Sequence, residues 1–319
     1  MKIGLIDVDN WTNLKGCFPN LPLMKLSAFH KQQGDSVEWC ESEKHYDRVY
    51  MSKVFSFTKE PEMYVDADEI IKGGSGYAIT LKNHQEHFNK SIHQDLPEEI
   101  EHIYPDYSLY GITDTAYGFM TRGCPRGCDF CHVKDKEGRC SIKVADLSEF
   151  WNGQKKIKLL DPNTFACPDW KNILIQLIDS KAQVDFTQGV DVRVMTPEKI
   201  EALMQVKVKQ VHFAWDRYED KELIIPKLKK FKEVSGWGRD KVSCYVLTNF
   251  NTTIQQDLER IMFLRSLDFN PYVMRYDKEH IKRGSDINAL ARWVNTKMIF
   301  WQCPTFEQYL EDRKKGLWV

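Results

Sequence analysis

The sequence contains no long apolar run and almost no net charge. No apolar stretch approaches the roughly 20 residues that a membrane-spanning helix needs. Residues 1–7 have a strand pattern and do not resemble a signal peptide, because charges interrupt a short apolar run. The 45 lysines and arginines nearly balance the 46 aspartates and glutamates, so the whole molecule is not steered toward nucleic acid or an anionic membrane. Residues 227–232 form a local basic run. We interpret it as the solvated face of a helix, with RNA binding as the alternative interpretation.

The sequence also lacks the cysteine pattern of a disulfide framework. Its nine cysteines are odd in number and unevenly spaced, which predicts a reducing, cytoplasmic environment. A hydrophobic content of 42% and a charged content of 29% are typical of a soluble globular protein. With 319 residues, the chain has room for two domains or one large α/β domain.

Three of the cysteines lie together, at C-x3-C-x2-C spacing, as Cys124, Cys128 and Cys131. Pro125 lacks an amide donor and Gly127 has a high backbone entropy, so a continuous helix is disfavoured here. The pattern therefore predicts a loop, which can direct three thiolates toward one centre.

Three cysteines are one fewer than a closed structural zinc site or an ordinary four-cysteine cluster requires. Either a fourth ligand comes from elsewhere, or one metal position is left open for chemistry. His132 follows Cys131 directly and would complete a Cys3His zinc site in a non-catalytic binding module. Arg122 and Arg126 would favour the thiolate form, which is the form that ligates metal.

An apolar, aromatic strand pattern followed by this cysteine loop resembles the cluster loop of the radical S-adenosylmethionine enzymes. Phe130 occupies the aromatic position that is usual in that family before the last cysteine. The resemblance implies that Cys124, Cys128 and Cys131 bind three irons of a [4Fe-4S] cluster. The amine and carboxylate of S-adenosylmethionine would chelate the fourth iron.

The resemblance also implies an activity. The reduced cluster would cleave S-adenosylmethionine to methionine and a 5′-deoxyadenosyl radical, which takes a hydrogen atom from the substrate. The reducing electron would come from a donor such as flavodoxin or ferredoxin. The sequence does not select a substrate, and a peptide, an RNA base, a lipid and a small metabolite all stay open.

Residues 1–112 form a separate α/β pattern. Strand patterns at 2–8, 36–40 and 48–52, with a helix pattern near 23–29, predict a small doubly wound, Rossmann-like domain. This region resembles the degenerate cobalamin-binding-like domains that precede some radical S-adenosylmethionine cores. The D-x-H-x-x-G motif for a lower cobalamin ligand is missing, since residues 7–11 contain no histidine. Cobalamin held without that ligand, as in a cobalamin-dependent methylase of the same family, stays open.

From residue 117 onward, strand and helix patterns alternate. The strand patterns lie at 117–121, 156–160, 184–188, 211–215, 243–248 and 271–276, and the helix patterns include 170–180, 197–205 and 253–267. Each crossover is long enough for a right-handed β-α-β unit. The pattern predicts a partial (β/α)6 TIM-like barrel over 113–279, which is also the core fold of the family it resembles. A helical tail over 280–319 would cover the barrel.

Reactive groups in parallel barrels collect at the carboxyl ends of strands. Asp161 and Asn163 follow the second barrel strand, where the family usually has a glycine-glycine-glutamate motif that contacts the methionine amine. That motif is missing here, so either residue could supply the contact, or both could belong to an Asx-Pro turn that caps the next helix. After the third strand, Gln188 and Asp191 suit ribose hydroxyls, and Arg193 suits a carboxylate.

Polar residues also follow the next two strands. Asp216 is a candidate pocket acid, or else half of an ordinary Asp–Arg surface pair. For Thr248 and Asn249, the resemblance implies contacts with S-adenosylmethionine, because family members commonly pack the adenine near this strand.

Overall fold

A computed structural model describes residues 1–14, 16–82 and 85–318. The chain divides into two compact units, Met1–Pro162 and Asn163–Val319. Both contain parallel strands and helices, so the predicted α/β class is confirmed. No helix in the described ranges is both long and apolar enough to cross a membrane.

The first unit begins with a parallel sheet in the strand order β2-β1-β3-β4. Its strands are β1 (Lys2–Asp7), β2 (Ser36–Trp39), β3 (His45–Ser52) and β4 (Asp66–Gly73), and helix α1 (Leu21–Gln32) connects β1 to β2. Helix α1 begins where the side chain of Asn20 accepts a hydrogen bond from the Leu23 N–H, and it ends before Gly34, whose φ of +82° is left-handed.

The core of this sheet forms on both of its faces, as the alternation of side chains in a strand requires. On one face, Ile3 and Leu5 of β1 pack with Leu23 and Leu26 of α1. The other contains a second buried cluster, formed by Ile6, Val8, Cys40, Tyr46, Val49 and Met51.

The remainder of the first unit consists of short elements. They are α2 (Ser75–Ala78), β5 (Ile79–Lys82), β6 (Gln85–Phe88), α3 (Glu98–Glu101), β7 (Thr115–Gly118), β8 (Thr121–Arg122), α4 (Val133–Lys136), β9 (Ile142–Lys143) and β10 (Lys156–Leu159). Strands β5 and β6 form an antiparallel hairpin, β7 pairs in parallel with β10, and β8 pairs antiparallel with β9.

The second unit alternates strands with longer helices. Its elements are α5 (Trp170–Ser180), β11 (Gln183–Phe186), α6 (Pro197–Gln205), β12 (Val211–Ala214), α7 (Lys221–Ser235), β13 (Val242–Thr248), α8 (Ile254–Ser266), β14 (Asn270–Arg275), α9 (Asp286–Asn295), α10 (Lys297–Gln302) and α11 (Phe306–Lys314). Strands β12, β13 and β14 form a parallel sheet with β13 in the middle.

The last three helices pack around Trp293, which is fully buried in α9 and contacts the rings of Phe300, Phe306 and Tyr309. The Asn295 side chain joins this group to the sheet, because it accepts a hydrogen bond from the Val273 N–H at 2.8 Å and donates one to the Val273 carbonyl at 3.0 Å. Helix α9 therefore packs on β14, and α10 and α11 pack on α9.

Most predicted strands and helices of the barrel region are present with ends shifted by at most two residues. The strand predicted at 117–121 is an exception, because β7 ends at Gly118 and β8 begins at Thr121. Between them, the Met120 N–H donates to the Asp161 carboxylate at 2.8 Å instead of to a neighbouring strand. Three expectations stay predictions. They are the closure of the strands into a partial barrel, the Rossmann-like fold of the first domain, and the division of the chain at residues 112 and 279.

Candidate active site

The cysteine triad lies in the segment between β8 and β9. Residues 123–132 form neither helix nor strand, which confirms the predicted loop. Pairing of Thr121 with Lys143 closes the base of this segment. Within it, the Cys124 N–H donates to the Gly138 carbonyl at 3.2 Å, and the Cys131 N–H donates to the Cys128 carbonyl at 3.1 Å. Backbone hydrogen bonds thus fold the segment back on itself.

Gly123 begins the loop in a conformation that favours glycine. Its φ is +80°, and a Cβ atom added there would lie 2.1 Å from the Cys140 carbonyl oxygen. Its N–H donates to Glu137 Oε2 at 3.1 Å. The chain can therefore enter the loop along this path only without a side chain at position 123.

Arg122 fastens the same region through its guanidinium group. Nη1 lies 3.1 Å from Glu137 Oε1, and Nη2 lies 3.3 Å from Glu101 Oε1. The guanidinium carbon also lies 3.5 Å from the centre of the Phe119 ring. Two carboxylates thus bind the group that the sequence predicted to favour thiolates, and these contacts anchor the start of the loop.

The cysteines of the triad are partly exposed thiols, and all nine cysteines of the chain are outside disulfides. Burial raises the pKa of the Cys131 thiol, a hydrogen bond from the Val133 backbone lowers it, and repulsion from Cys124 raises it further. A metal that binds Cys131 must therefore displace a proton. Among the described residues, no three His, Cys, Asp or Glu side chains come close enough together to hold a metal ion. Three soft sulfur donors in one loop nevertheless fit an iron–sulfur cluster with one open iron.

His132, the fourth ligand of the zinc alternative, is bound elsewhere. Its Nε2 donates to Glu86 Oε2 at 3.1 Å, and the ring lies against Phe88 at a centroid distance of 6.3 Å. Both partners belong to the β5–β6 hairpin. Recruitment of Nε2 to a metal would require this hydrogen bond to break.

Asp161 connects the end of β10 to the start of the cysteine loop. Its carboxylate is buried, with Oδ1 accepting from the Met120 N–H at 2.8 Å and Oδ2 accepting from Thr121 Oγ1 at 2.7 Å. The predicted cofactor ligand thus has a structural role in the first unit.

In the second unit, three of the predicted site residues form one polar chain. Asn163 Nδ2 donates to Asp191 Oδ2 at 3.2 Å, and Asp191 Oδ1 accepts from Arg193 Nε at 2.7 Å. Arg193 Nη1 continues the chain to Asp220 Oδ2 at 3.3 Å. The Asp191 side chain also accepts from the Arg193 N–H at 3.1 Å, which starts the short turn Val192–Val194. These contacts hold the Arg193 guanidinium in one position.

Asp216, the predicted pocket acid, belongs to the same electrostatic environment. Burial raises the pKa of its carboxyl from 3.8 to about 6, and the attraction of Arg193 and Arg260 only partly opposes that rise. Repulsion from Asp220 raises the pKa further. A titratable group with a pKa near neutrality, beside two arginines, is typical of a functional site.

Sequence reasoning missed Arg260, which is completely buried in helix α8. It donates to the carbonyl oxygens of Trp215 at 2.5 Å and Leu247 at 2.8 Å, and it forms an ion pair with Asp257 at 2.5 Å. It therefore joins the carboxyl ends of β12 and β13. The only signal in the sequence is that Asp257 and Arg260 share a helix face with Ile261, which is weak because long charged side chains commonly border an apolar face.

The remaining predicted residues differ in their surroundings. Thr248 is fully buried at the end of β13, and its Oγ1 donates to the Met274 carbonyl at 3.3 Å. Asn249 follows with a φ of +64°, and its Nδ2 donates to the Tyr276 carbonyl at 3.0 Å. Both side chains tie β13 to the end of β14. Gln188 is exposed and is not joined to the Asn163–Asp191–Arg193 chain.

No family model matches the chain, and no curated protein matches its sequence. Among solved structures, Streptococcus suis SuiB matches with a TM-score of 0.41 and 14% identity, over 59% of this chain and 46% of that chain. SuiB bound to S-adenosylmethionine matches with a TM-score of 0.36 and 16% identity, over 59% of this chain and 43% of that chain. The match therefore spans less than half of the length of each SuiB chain.

Proposed function

We propose that this chain is a radical S-adenosylmethionine enzyme whose [4Fe-4S] cluster is held by Cys124, Cys128 and Cys131. The observation that carries the proposal is the arrangement of these thiols. All three lie at C-x3-C-x2-C spacing in one irregular loop, closed by the β8–β9 pair. Three cysteines leave one metal position open, which a structural zinc site does not require.

The chain's own residues hold and shape this loop. Gly123 and Glu137 fix its path, and Arg122 anchors its start through two carboxylates. Partial burial of Cys131 limits contact with water. When bound and reduced, the cluster would supply the electron for cleavage of S-adenosylmethionine to methionine and a 5′-deoxyadenosyl radical. A small electron carrier such as flavodoxin or ferredoxin would provide that electron.

The candidate contacts for S-adenosylmethionine are the polar groups at the strand ends. In the first unit, the buried Asp161 carboxylate lies beside the start of the loop, where it binds Met120 and Thr121. In the second, Asp191 and Arg193 are already oriented by each other, so they can bind hydroxyl and carboxylate groups at a low entropy cost. Asp216 is mostly ionised above pH 6 and would then accept from a hydroxyl. The substrate stays open among a peptide, an RNA base, a lipid and a small metabolite.

Anaerobic reconstitution tests the cluster and the chemistry together. The wild-type chain is loaded with iron and sulfide, and 5′-deoxyadenosine is measured after addition of dithionite and S-adenosylmethionine. Cys128→Ala should lose most of the bound iron and all of the product. Cys140→Ala is a matched control, because Cys140 is an exposed thiol between the same two strands but outside the triad. Equal iron in both variants would contradict the ligand assignment.

A His132→Ala variant separates the enzyme from a zinc-stabilised module. Since His132 is paired with Glu86, its loss should leave the iron content nearly unchanged. Complete loss of metal from this variant, or a purified chain that binds zinc but takes up no cluster, would favour the zinc site. Cobalamin that copurifies with the chain would indicate the cobalamin-dependent methylase instead.

A further inference from the structure

A cavity of about 550 Å³ lies in the second unit, at the amino-terminal edge of the sheet formed by β12, β13 and β14. The residues that line the cavity show where it lies, because each of them precedes or begins one of the three strands or belongs to α10. They are Lys209, Gln210, Arg239, Asp240, Asn270, Lys297, Met298 and Trp301. The volume falls within the range of about 300–1,000 Å³ that is usual for small-molecule sites.

This cavity lies away from the candidate cofactor residues of the same sheet. Thr248 ends β13 at its carboxyl edge, whereas Asp240 lies just before β13 begins at Val242. A parallel strand rises about 3.3 Å per residue, so β13 separates the two edges by about 20 Å. A ligand in the cavity therefore could not contact Thr248.

The cavity has more positive than negative groups. Lys209 and Lys297 form no ion pair with any acidic side chain in the described ranges, so both ammonium groups are available to an anion. Arg239 is partly neutralised by Asp268, at a distance of 3.2 Å. Two unpaired ammonium groups and an arginine at one cavity match a phosphate group, whose charge they would balance.

One wall of the cavity is fixed by Asn270. Its Oδ1 accepts from Trp301 Nε1 at 2.8 Å, and its Nδ2 donates to the Arg239 carbonyl at 2.7 Å. The Arg239 guanidinium lies 4.2 Å from the centre of the Trp301 ring. This wall is therefore ordered before any ligand arrives, which lowers the entropy cost of binding.

The other lining groups offer apolar contacts and hydrogen bonds in addition to charge. Met298 is 63% exposed and offers a flexible apolar surface for a planar ring. Gln210 can both donate and accept hydrogen bonds, and Asp240 can accept from N–H groups. A ligand that combines a phosphate, a planar ring and N–H donors would engage all of them.

We infer that this cavity is a binding site for a purine nucleoside monophosphate, separate from the proposed cofactor site. The phosphate binds Lys209 and Lys297, the ring lies against Met298, and the N–H donors of the base reach Asp240. The inference does not depend on the cysteine loop, so it is tested on the metal-free chain.

Isothermal titration of the metal-free chain with GMP, guanosine and inorganic phosphate tests this inference. GMP should bind at least tenfold more tightly than either fragment. The variants Lys209→Glu and Lys297→Glu should each weaken GMP binding at least tenfold. Lys229→Glu is the matched control, because it makes the same charge change at an exposed position of α7 outside the cavity, and it should stay within twofold of wild type.

Further measurements separate the phosphate contact from the base contact. Asp240→Asn should weaken GMP binding but leave phosphate binding unchanged. The inference is overturned if GMP does not bind, if phosphate alone binds as tightly as GMP, or if Lys229→Glu weakens binding as much as Lys209→Glu. It is also overturned if excess S-adenosylmethionine displaces GMP, since the nucleotide would then occupy the cofactor site. Circular dichroism of each variant confirms that its fold is intact.

Discussion

Replacement of Gly123 by alanine perturbs the cysteine loop without touching a sulfur atom. Gly123 has a φ of +80°, and an alanine Cβ would lie 2.1 Å from the Cys140 carbonyl oxygen. A left-handed conformation costs an L-residue about 1–2 kcal/mol. Displacement of packed backbone to admit a methyl group costs about 1–3 kcal/mol more. We therefore expect the observed loop path to become less favourable by about 2–5 kcal/mol.

The steric clash is relieved if the start of the loop moves away from Cys140, and this movement also displaces Cys124. The cost should then appear as weaker cluster binding, by about 30-fold or more, because each 1.4 kcal/mol is about a factor of ten. The assay is iron and sulfide bound per chain at limiting iron, under anaerobic reconstitution. Thermal unfolding of the metal-free variant would show that the rest of the fold persists.

Gly127→Ala provides the matched control within the same loop. Its added Cβ would lie 2.9 Å from Arg139 Nη1, the far end of a flexible side chain that can move aside. We expect it to load iron nearly as well as wild type. Normal loading of Gly123→Ala, or an equal loss in both variants, would show that the path of the loop does not depend on the missing side chain at position 123.

Two further predictions concern buried charges of the second unit. Burial raises the pKa of Asp216 to about 6, above its unfolded value of 3.8. The folded state therefore favours the protonated carboxyl, and the free energy of unfolding falls as the pH rises from 4 to 6. Asp216→Asn should therefore stabilise the chain by up to about 3 kcal/mol above pH 6 and hardly at all below pH 4 in denaturant titrations; a difference independent of pH would contradict this. Arg260→Leu removes the partner of Asp257 and of three carbonyl groups, and should lower the free energy of unfolding by about 3–5 kcal/mol. The exposed Arg217→Leu control should cost less than about 1 kcal/mol, and a similar loss in both variants would count against the buried network.

Local signals predicted several elements of the second unit closely. Helix α6 begins at Pro197 because the Thr196 side chain accepts from the Lys199 N–H and proline suits the first turn. Helix α11 begins after Thr305 for the same capping reason. Such signals lie within a few residues of the helix start that they determine, so these starts can be predicted from the sequence without knowledge of the fold.

Features that depend on distant residues were harder to predict. Strand β4 has the sequence Asp-Ala-Asp-Glu-Ile-Ile-Lys-Gly, whose charges obscure the alternation of a strand; an edge position tolerates them. The position of Arg260 depends on carbonyl groups 45 residues earlier in the chain, at the end of β12. The polar residues after strands could be named from the sequence, but their division between two units and the pairing of Asp191 with Arg193 required the structure.

The hydrogen bonds of Asp161 also join the start of the cysteine loop to a part of the chain that is synthesised later. Asp161 binds Thr121 across 40 residues of sequence, and it follows β10, which pairs with β7. Closure of so long a loop costs entropy, which the native contacts must offset. The start of the cysteine segment is therefore not fixed until residues 156–161 have docked. During synthesis, Asp161 emerges 30 residues after Cys131, so we expect a metal centre there to mature only after this later part of the first unit has been made.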